Sequence, residues 1–455
     1  MVNQGDTMRK ILGKGKGWVA LPFLLAMGLP AAAETPAVRV AAGAYHTCAI
    51  LVGGNVKCWG YNYYGQLGLG DTLNRGDAPG QMGSALPAVF FPKHGPVKQL
   101  ALGGYHTCAL DTEGDVYCWG YNVYGQLGYG HTNNLGDNPS EVFGGMPAAL
   151  IETQKIVAGD YHTCALKYGG AVWCWGYNGY GQLGAGDTQN RRDGGNNSFA
   201  IPNLGTGRKA IDIAAAGYST CALLDNQQVK CWGYNGVGTL GLGDNLTRGD
   251  SPGEMGDSLP AVDTGFSGFP LKEIVAGRYH VCAVRANNAW PKCWGYNAFG
   301  QLGLGDTNNR GDNPGEMGLS LPFMPSGSVT WEMSAGYAHT CVPTSSGFTA
   351  RYRIKCFGYN GLGQLGVGDT ANRGDNPGEV AFGQPPAVDL GLEPNGFHHQ
   401  VVGMAAGHYH TCAVLGTGAI KCWGYNALGQ LGLGDSTSRG TDPAQMGAAL
   451  PEVDL

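Results

Sequence analysis

All 14 cysteines of this 455-residue chain fall into seven pairs, and every pair sits in the same phrase. The second cysteine opens Cys-Trp-Gly-Tyr-Asn at Cys58, Cys118, Cys174, Cys231, Cys293 and Cys422, and Cys-Phe-Gly-Tyr-Asn at Cys356. The first stands upstream at Cys48, Cys108, Cys164, Cys221, Cys282, Cys341 and Cys412. Successive first cysteines are 60, 56, 57, 61, 59 and 71 residues apart. A self-similar period of this size implies a solenoid or propeller whose neighbouring units share a core, and it overrides a domain count based on length.

The unit reads as β structure. Thr47 to Leu51 and Asn55 to Trp59 are short apolar-rich runs around Gly53-Gly54, a hairpin pattern. A preceding run such as Val97 to Leu102 predicts another strand, and Pro87-Ala88-Val89 a fourth. In an antiparallel pair centred on Gly53, positions 48 and 58 are opposed at a spacing that accepts a disulfide. Five pairs are ten residues apart, one is eleven and one fifteen. The loop lengthens while both cysteines persist, as a cross-strand bridge predicts and a metal site of fixed spacing does not. The expectation is an all-β chain of seven such units, each of three or four short strands, closed into a β-propeller with one disulfide per unit.

Residues 1–33 carry Arg9, Lys10, Lys14 and Lys16 against Asp6, then the apolar run Trp18 to Leu29, then Pro30-Ala31-Ala32-Ala33. This order reads as a secretory signal cleaved near Ala33, with Met8 an alternative start, and leaves residues 34–455 as the propeller. The expected location is outside the cytoplasm: periplasm, cell surface or medium. The segment holds +3 of a whole-chain charge of −6, which leaves −9 for the remainder. An acidic body without a basic run excludes a nucleic-acid footprint. No later segment is apolar over a membrane-spanning length. The 80 glycines are more than twice the ordinary share of roughly 7%, as many tight turns require.

The full unit in its first copy is Gly43-Ala44-Tyr45-His46-Thr47-Cys48, then Cys58-Trp59-Gly60-Tyr61-Asn62, then Gly65-Gln66-Leu67-Gly68. It resembles the regulator of chromosome condensation repeat, in register seven times from about Val38 to the C-terminus. The resemblance implies a seven-bladed propeller of four-stranded blades whose closure mixes strands from both chain ends. On that pattern Leu450 to Leu455 would complete a blade begun near Val38-Arg39-Val40. It also suggests, by analogy alone, guanine-nucleotide exchange on a small GTPase, which export opposes. The Gly-Trp-Arg-His-Thr motif of a plant light sensor with this fold is absent.

The replicated polar residues read mainly as architecture. His46, His106, His162, His280, His339 and His410, with Ser219 in the fourth copy, are one per blade, too far apart to share a metal at ~2.0–2.1 Å per bond. The repeated Trp residues suit blade-to-blade packing better than sugar stacking. Tyr63, Tyr64, Tyr124, Tyr180 and Phe299 are expected to line a face. After each Gly-Gln-Leu-Gly-like turn comes a loop with Asp71, Asp187, Asp244, Asp306, Asp369 or Asp435, or His131 in copy two. Asp77, Asp137, Asp193, Asp250, Asp312 or Asp375 follows, with Thr441 in the last copy, and an Arg intervenes in six copies. That arrangement predicts a self-bonded loop in which Arg bridges both carboxylates, with Ca²⁺ as the alternative. The Arg-Gly-Asp tripeptides at Arg75, Arg248, Arg310 and Arg373 fall out of this pattern.

No catalytic motif and no unique Ser, His and Asp set appears, so neither catalysis nor a cofactor is expected. Where the copies disagree, a binding site is expected: Arg191, Arg192, Asn196, Asn197 and Phe199 in the third loop, and His398 and His399 in a longer connection. The reading is a monomeric, exported binding protein that engages a protein or glycan through one propeller face. A glycan-active enzyme is the alternative, and would need carboxylates converging on one cleft.

Overall fold

Each cysteine phrase folds as the middle and outer strands of a three-stranded antiparallel sheet, and there are seven such sheets. The computed structural model describes residues 36–455 except 92–94, 144–148, 287–289, 326–331, 346–351 and 381–383. The predicted signal segment lies outside the described residues. Blade 1 comprises Ala37–Ala42, His46–Leu51 and Val56–Gly60. Blade 2 comprises Val97–Leu102, His106–Asp111 and Val116–Gly120. The inner strands of the remaining five are Thr153–Ala158, Ala210–Ala215, Leu271–Ala276, Ser334–Ala335 and Val401–Ala406.

The cysteine expectation holds in every blade. Cys48 opposes Cys58 in register, and the same pairing recurs through Cys412 and Cys422. All seven pairs are disulfides with Cα atoms 4.1 Å apart, close to the ~4.5 Å of a non-hydrogen-bonded cross-strand pair. In blade 6 the strands simply run longer, pairing as far as Ser345 and Tyr352 beyond the bridge.

The predicted fourth strand shrinks to an edge contact. Val89 donates its N–H to Val56 O, Val262 to Val229 O, Val388 to Ile354 O and Val453 to Ile420 O, each at 2.8 Å. A proline stands two residues before each of these valines, at Pro87, Pro260, Pro386 and Pro451. Proline has no N–H to extend a ladder, so the sheet ends at three strands.

Ring closure also differs from expectation. Val453 pairs with Ile420 of its own blade 7, so Leu450 to Leu455 does not complete blade 1. Blades 7 and 1 are instead joined by the contacts used elsewhere around the ring. Trp59, Leu51 and Met82 pack with Val414, Ile420 and Leu431, and Ala37 N–H donates to Gly418 O as Val97 N–H does to Gly54 O. Every blade is therefore built within one repeat, and the core lies between blades.

Candidate binding face

The repeat motif is a hydrogen-bond circuit across each interface. His46 Nε2 lies 2.8 Å from Thr107 Oγ1 of the next blade. Thr107 donates its own proton to Gln66 O, which also accepts from Trp119 Nε1, both at 2.9 Å. Thr107 Oγ1 therefore accepts, and His46 carries its proton on Nε2. The His–Thr contact repeats at five further interfaces, including closure through His410 and Thr47. Burial drives the imidazole pKa down, to about 3 for His46, His106, His339 and His410 and about 4 for His162 and His280. The histidines are thus neutral and structural, and the repeated Trp residues are fully buried.

The chain turns at Tyr45 between inner and middle strands, and again at Tyr61 after the outer strand. Both positions in all blades therefore fall on one face of the propeller, opposite the middle-to-outer hairpins. There Tyr45, Tyr105, Tyr161, Tyr218, Tyr279, Tyr337 and Tyr409 form a closed ring, with neighbouring ring centroids 5.3–6.4 Å apart. In blade 6 the tyrosine arrives one residue early, as Gly336-Tyr337-Ala338-His339, and still fills its place. Tyr64, Tyr124, Tyr180 and Phe299 bridge to Tyr121, Tyr177, Tyr234 and Tyr359 of the next blades at 4.7–5.3 Å. Tyr63 stands 64% exposed over this pavement. Burial and neighbouring phenols raise the hydroxyls of Tyr45, Tyr105, Tyr161, Tyr218, Tyr279 and Tyr409, to about 12 for Tyr105, so these are neutral donors and acceptors.

Within the ring lies a polar cluster that breaks the sevenfold symmetry. The residue two before the motif's histidine, which is Ser219 in the fourth copy, is Ala44, Gly104, Asp160, Gly217, Arg278, Tyr337 and His408 in the seven copies. Asp160 accepts from Arg278 Nε at 2.6 Å and lies 3.4 Å from His408 Nε2. The Arg278 guanidinium rests over the rings of Tyr218, Tyr279 and Tyr337 at 4.9–5.6 Å. Burial alone would raise the Asp160 carboxyl, but His408 and Arg278 hold it below its usual range. Backbone bonds fix the mounting: Gly104 N–H to Asp160 O, Asp160 N–H to Gly217 O, Gly217 N–H to Arg278 O and Arg278 N–H to Gly336 O. The three residues line a central cavity of about 1110 Å³ whose walls come from all seven inner strands. Deeper in it, Lys155 pairs with Asp212, and burial lifts Glu273 to about 7.

This arrangement is suited to binding more than to proton transfer. The Asp160 carboxylate is ionised and already engaged, and the phenols around it are neutral.

The residues singled out by sequence lie apart. The Asp loops are self-bonded, but Arg75 pairs with Asp71 alone, at 2.6 Å, and with the carbonyls of Leu73 and Asn74. The same ion pair recurs in the five other Arg-bearing copies. Arg does not bridge to Asp77, because its fork is used up on the first carboxylate and the loop backbone. Arg191 is the third copy's version of this pair. Arg192 departs, donating to Gly128 O and Asn197 O and stacking on Phe199 at 4.6 Å. Asn196 accepts from Ser198. This loop borders the tyrosine face, since Asn178, next to Tyr177, holds Asp187. His398 and His399 precede the inner strand of blade 7 and so lie toward the opposite face. Asp160, Arg278 and His408 escaped notice, although aligning the seven copies at that one position displays them.

Comparison with known proteins agrees with this architecture. A family model described as an RCC1-like domain matches residues 76–453, and one for the regulator of chromosome condensation (RCC1) repeat matches residues 37–66. The ultraviolet-B receptor UVR8 of Arabidopsis thaliana is 30% identical over 407 residues, covering 88% of this chain and 79% of the receptor. Human HERC4, a probable E3 ubiquitin-protein ligase, is 33% identical over 53% of this chain but only 22% of its own length. Among solved structures, Prp20p of Saccharomyces cerevisiae superposes with TM-score 0.60 at 20% identity, covering 91% of this chain and 87% of its own. Human WBSCR16 gives 0.63 at 19%, covering 88% and 94%. With seven blades, the repeat motif in every copy and this span of matches, the chain belongs to the RCC1-like β-propeller family.

Proposed function

We propose that this chain is an exported binding protein that docks a protein partner on its tyrosine face, outside the cytoplasm. The closed ring of seven tyrosines around Asp160, Arg278 and His408 carries this reading. Tyrosine supplies large contact area at low entropic cost and keeps a polar tip, which suits a recognition surface. The asymmetric cluster gives an otherwise repetitive face a unique orientation. The seven disulfides and the signal-like first 33 residues support an oxidising compartment. Family members supply precedent for protein binding: yeast RCC1 (Prp20) has been crystallised with Kap60. Neutral phenols also suit a glycan, which is the second reading. Nucleotide exchange and ligase activity are not proposed for this chain.

The test is affinity capture from envelope and medium fractions with the full chain and with a Tyr64→Ala, Tyr124→Ala, Tyr180→Ala variant, beside a glycan array. Capture of a defined protein that is lost in the variant, at unchanged folding, supports the proposal. Capture insensitive to the three substitutions, or turnover of a glycan, overturns it.

A further inference from the structure

The hairpin of blade 2 differs from its six counterparts in charge. Where the middle strand ends, blades 1, 3, 4, 5 and 7 carry Leu51, Lys167, Leu224, Arg285 and Leu415, in register with the first residue of the inner strand. Blade 2 carries Asp111 there, opposite Val97. The turn continues Asp111-Thr112-Glu113-Gly114-Asp115, so carboxylates stand at alternate positions.

The Asp111 side chain is fully buried. Its Oδ1 accepts from the N–H groups of Glu113, Gly114 and Asp115, each at 2.9 Å. Its Oδ2 is buried with no hydrogen-bond partner. A polar oxygen shut away from water without a partner is costly, and a bound cation would satisfy it. One oxygen from each of Asp111, Glu113 and Asp115 lies within 4.8 Å of the others. Ligands around one Ca²⁺ at 2.3–2.6 Å can be no more than ~5 Å apart, so the three meet that limit. Among the described residues, no Lys or Arg forms an ion pair with any of the three. Glu113 is exposed and Asp115 half-buried, which leaves an open side for water ligands. Gly114 O at the turn is held by Thr153 N–H at 2.9 Å, so the loop is anchored to the next blade.

We propose that the blade 2 hairpin is a calcium site, with Asp111, Glu113 and Asp115 as its carboxylate ligands. The inference is independent of the docking face, which lies at the opposite end of the blades. A flexible, all-oxygen, partly hydrated site suits Ca²⁺ better than Mg²⁺, which demands a tighter octahedron. Affinity should match extracellular calcium modules, with a dissociation constant of about 10⁻⁴–10⁻³ M.

The test uses the full chain, terbium luminescence and competition by Ca²⁺. Tyr117, electrostatically coupled to all three carboxylates, is placed to sensitise bound Tb³⁺. Saturable emission displaced by millimolar Ca²⁺ is expected. The surface variant Glu113→Gln, Asp115→Asn, which leaves the buried Asp111 in place, should weaken binding about tenfold or more through the lost ligand charge. Tyr117→Phe should dim the emission without abolishing calcium binding measured by calorimetry. Absence of saturable calcium binding overturns the site. So does binding unchanged in the double variant, or undimmed emission in Tyr117→Phe, since either places the ion elsewhere.

Discussion

His46 shows how one motif serves two blades, and the fourth interface shows that its parts change together. Gly43 precedes His46 by three residues, and a Cβ on Gly43 would come within 2.5 Å of the imidazole. In blade 4 the histidine is Ser219, the glycine three residues earlier is Ala216, and the threonine expected in blade 5 is Val281. Ser219 turns to donate to Tyr234 O instead. Loss of the donor thus coincides with loss of its acceptor and with filling of the space the ring vacates. His46→Ser alone should destabilise by about 1–3 kcal/mol, because it removes the donor to the buried Thr107 oxygen and leaves a space in the interface. The combined Gly43→Ala, His46→Ser, Thr107→Val variant should lose less than the sum of its single changes, read from urea midpoints. At the face centre, Arg278→Ala should cost about 3 kcal/mol by leaving Asp160 buried beside His408 only, and adding Asp160→Asn should recover part of it. Additivity in either set contradicts the coupling.

At the scale of the element, the hairpin is the unit that sequence displays best. Cys48 and Cys58 are separated by a turn of the right length, and in blade 6 the cysteine separation grows to 15 while the bridge remains. Replacing Cys108 and Cys118 by Ser should lower stability by about 3 kcal/mol, by the loop-closure model, with the blade count unchanged. A loss near zero would show that the staple does not restrain the unfolded chain. The fourth strand was not legible, because Pro87-Ala88-Val89 has strand-like composition while its single useful N–H becomes evident only in register with Val56. The closing segment was assigned to the wrong blade for a related reason: Val453 matches any edge in pattern, and only its bond to Ile420 identifies its own blade. The polar cluster at the face was hidden by distance, since Asp160 and Arg278 are 118 residues apart and meet only when the ring closes.

For the whole molecule, the six buried histidines make stability depend on pH. Their native pKa values, about 3 to 4, lie below the ordinary 6.5. The unfolded chain therefore binds more protons below pH 6.5, and stability falls as pH falls from there toward 4. Each histidine contributes up to about 1.4 kcal/mol per pH unit in that window. The thermal midpoint should drop steeply from pH 6.5 to 4.5 and stay nearly level from 7 to 8; a flat profile down to 4.5 contradicts neutral, structural imidazoles. On the proposed function, the tyrosine end of the ring meets the partner and the hairpin end does not. The most direct measurement places a photo-cross-linking amino acid at Tyr63 or Tyr180 on the tyrosine face, or at the exposed Val52 on the opposite hairpins, in the cells that make the protein. A discrete cross-linked partner is expected from Tyr63 and Tyr180 and none from Val52. Cross-linking from Val52 alone would contradict it.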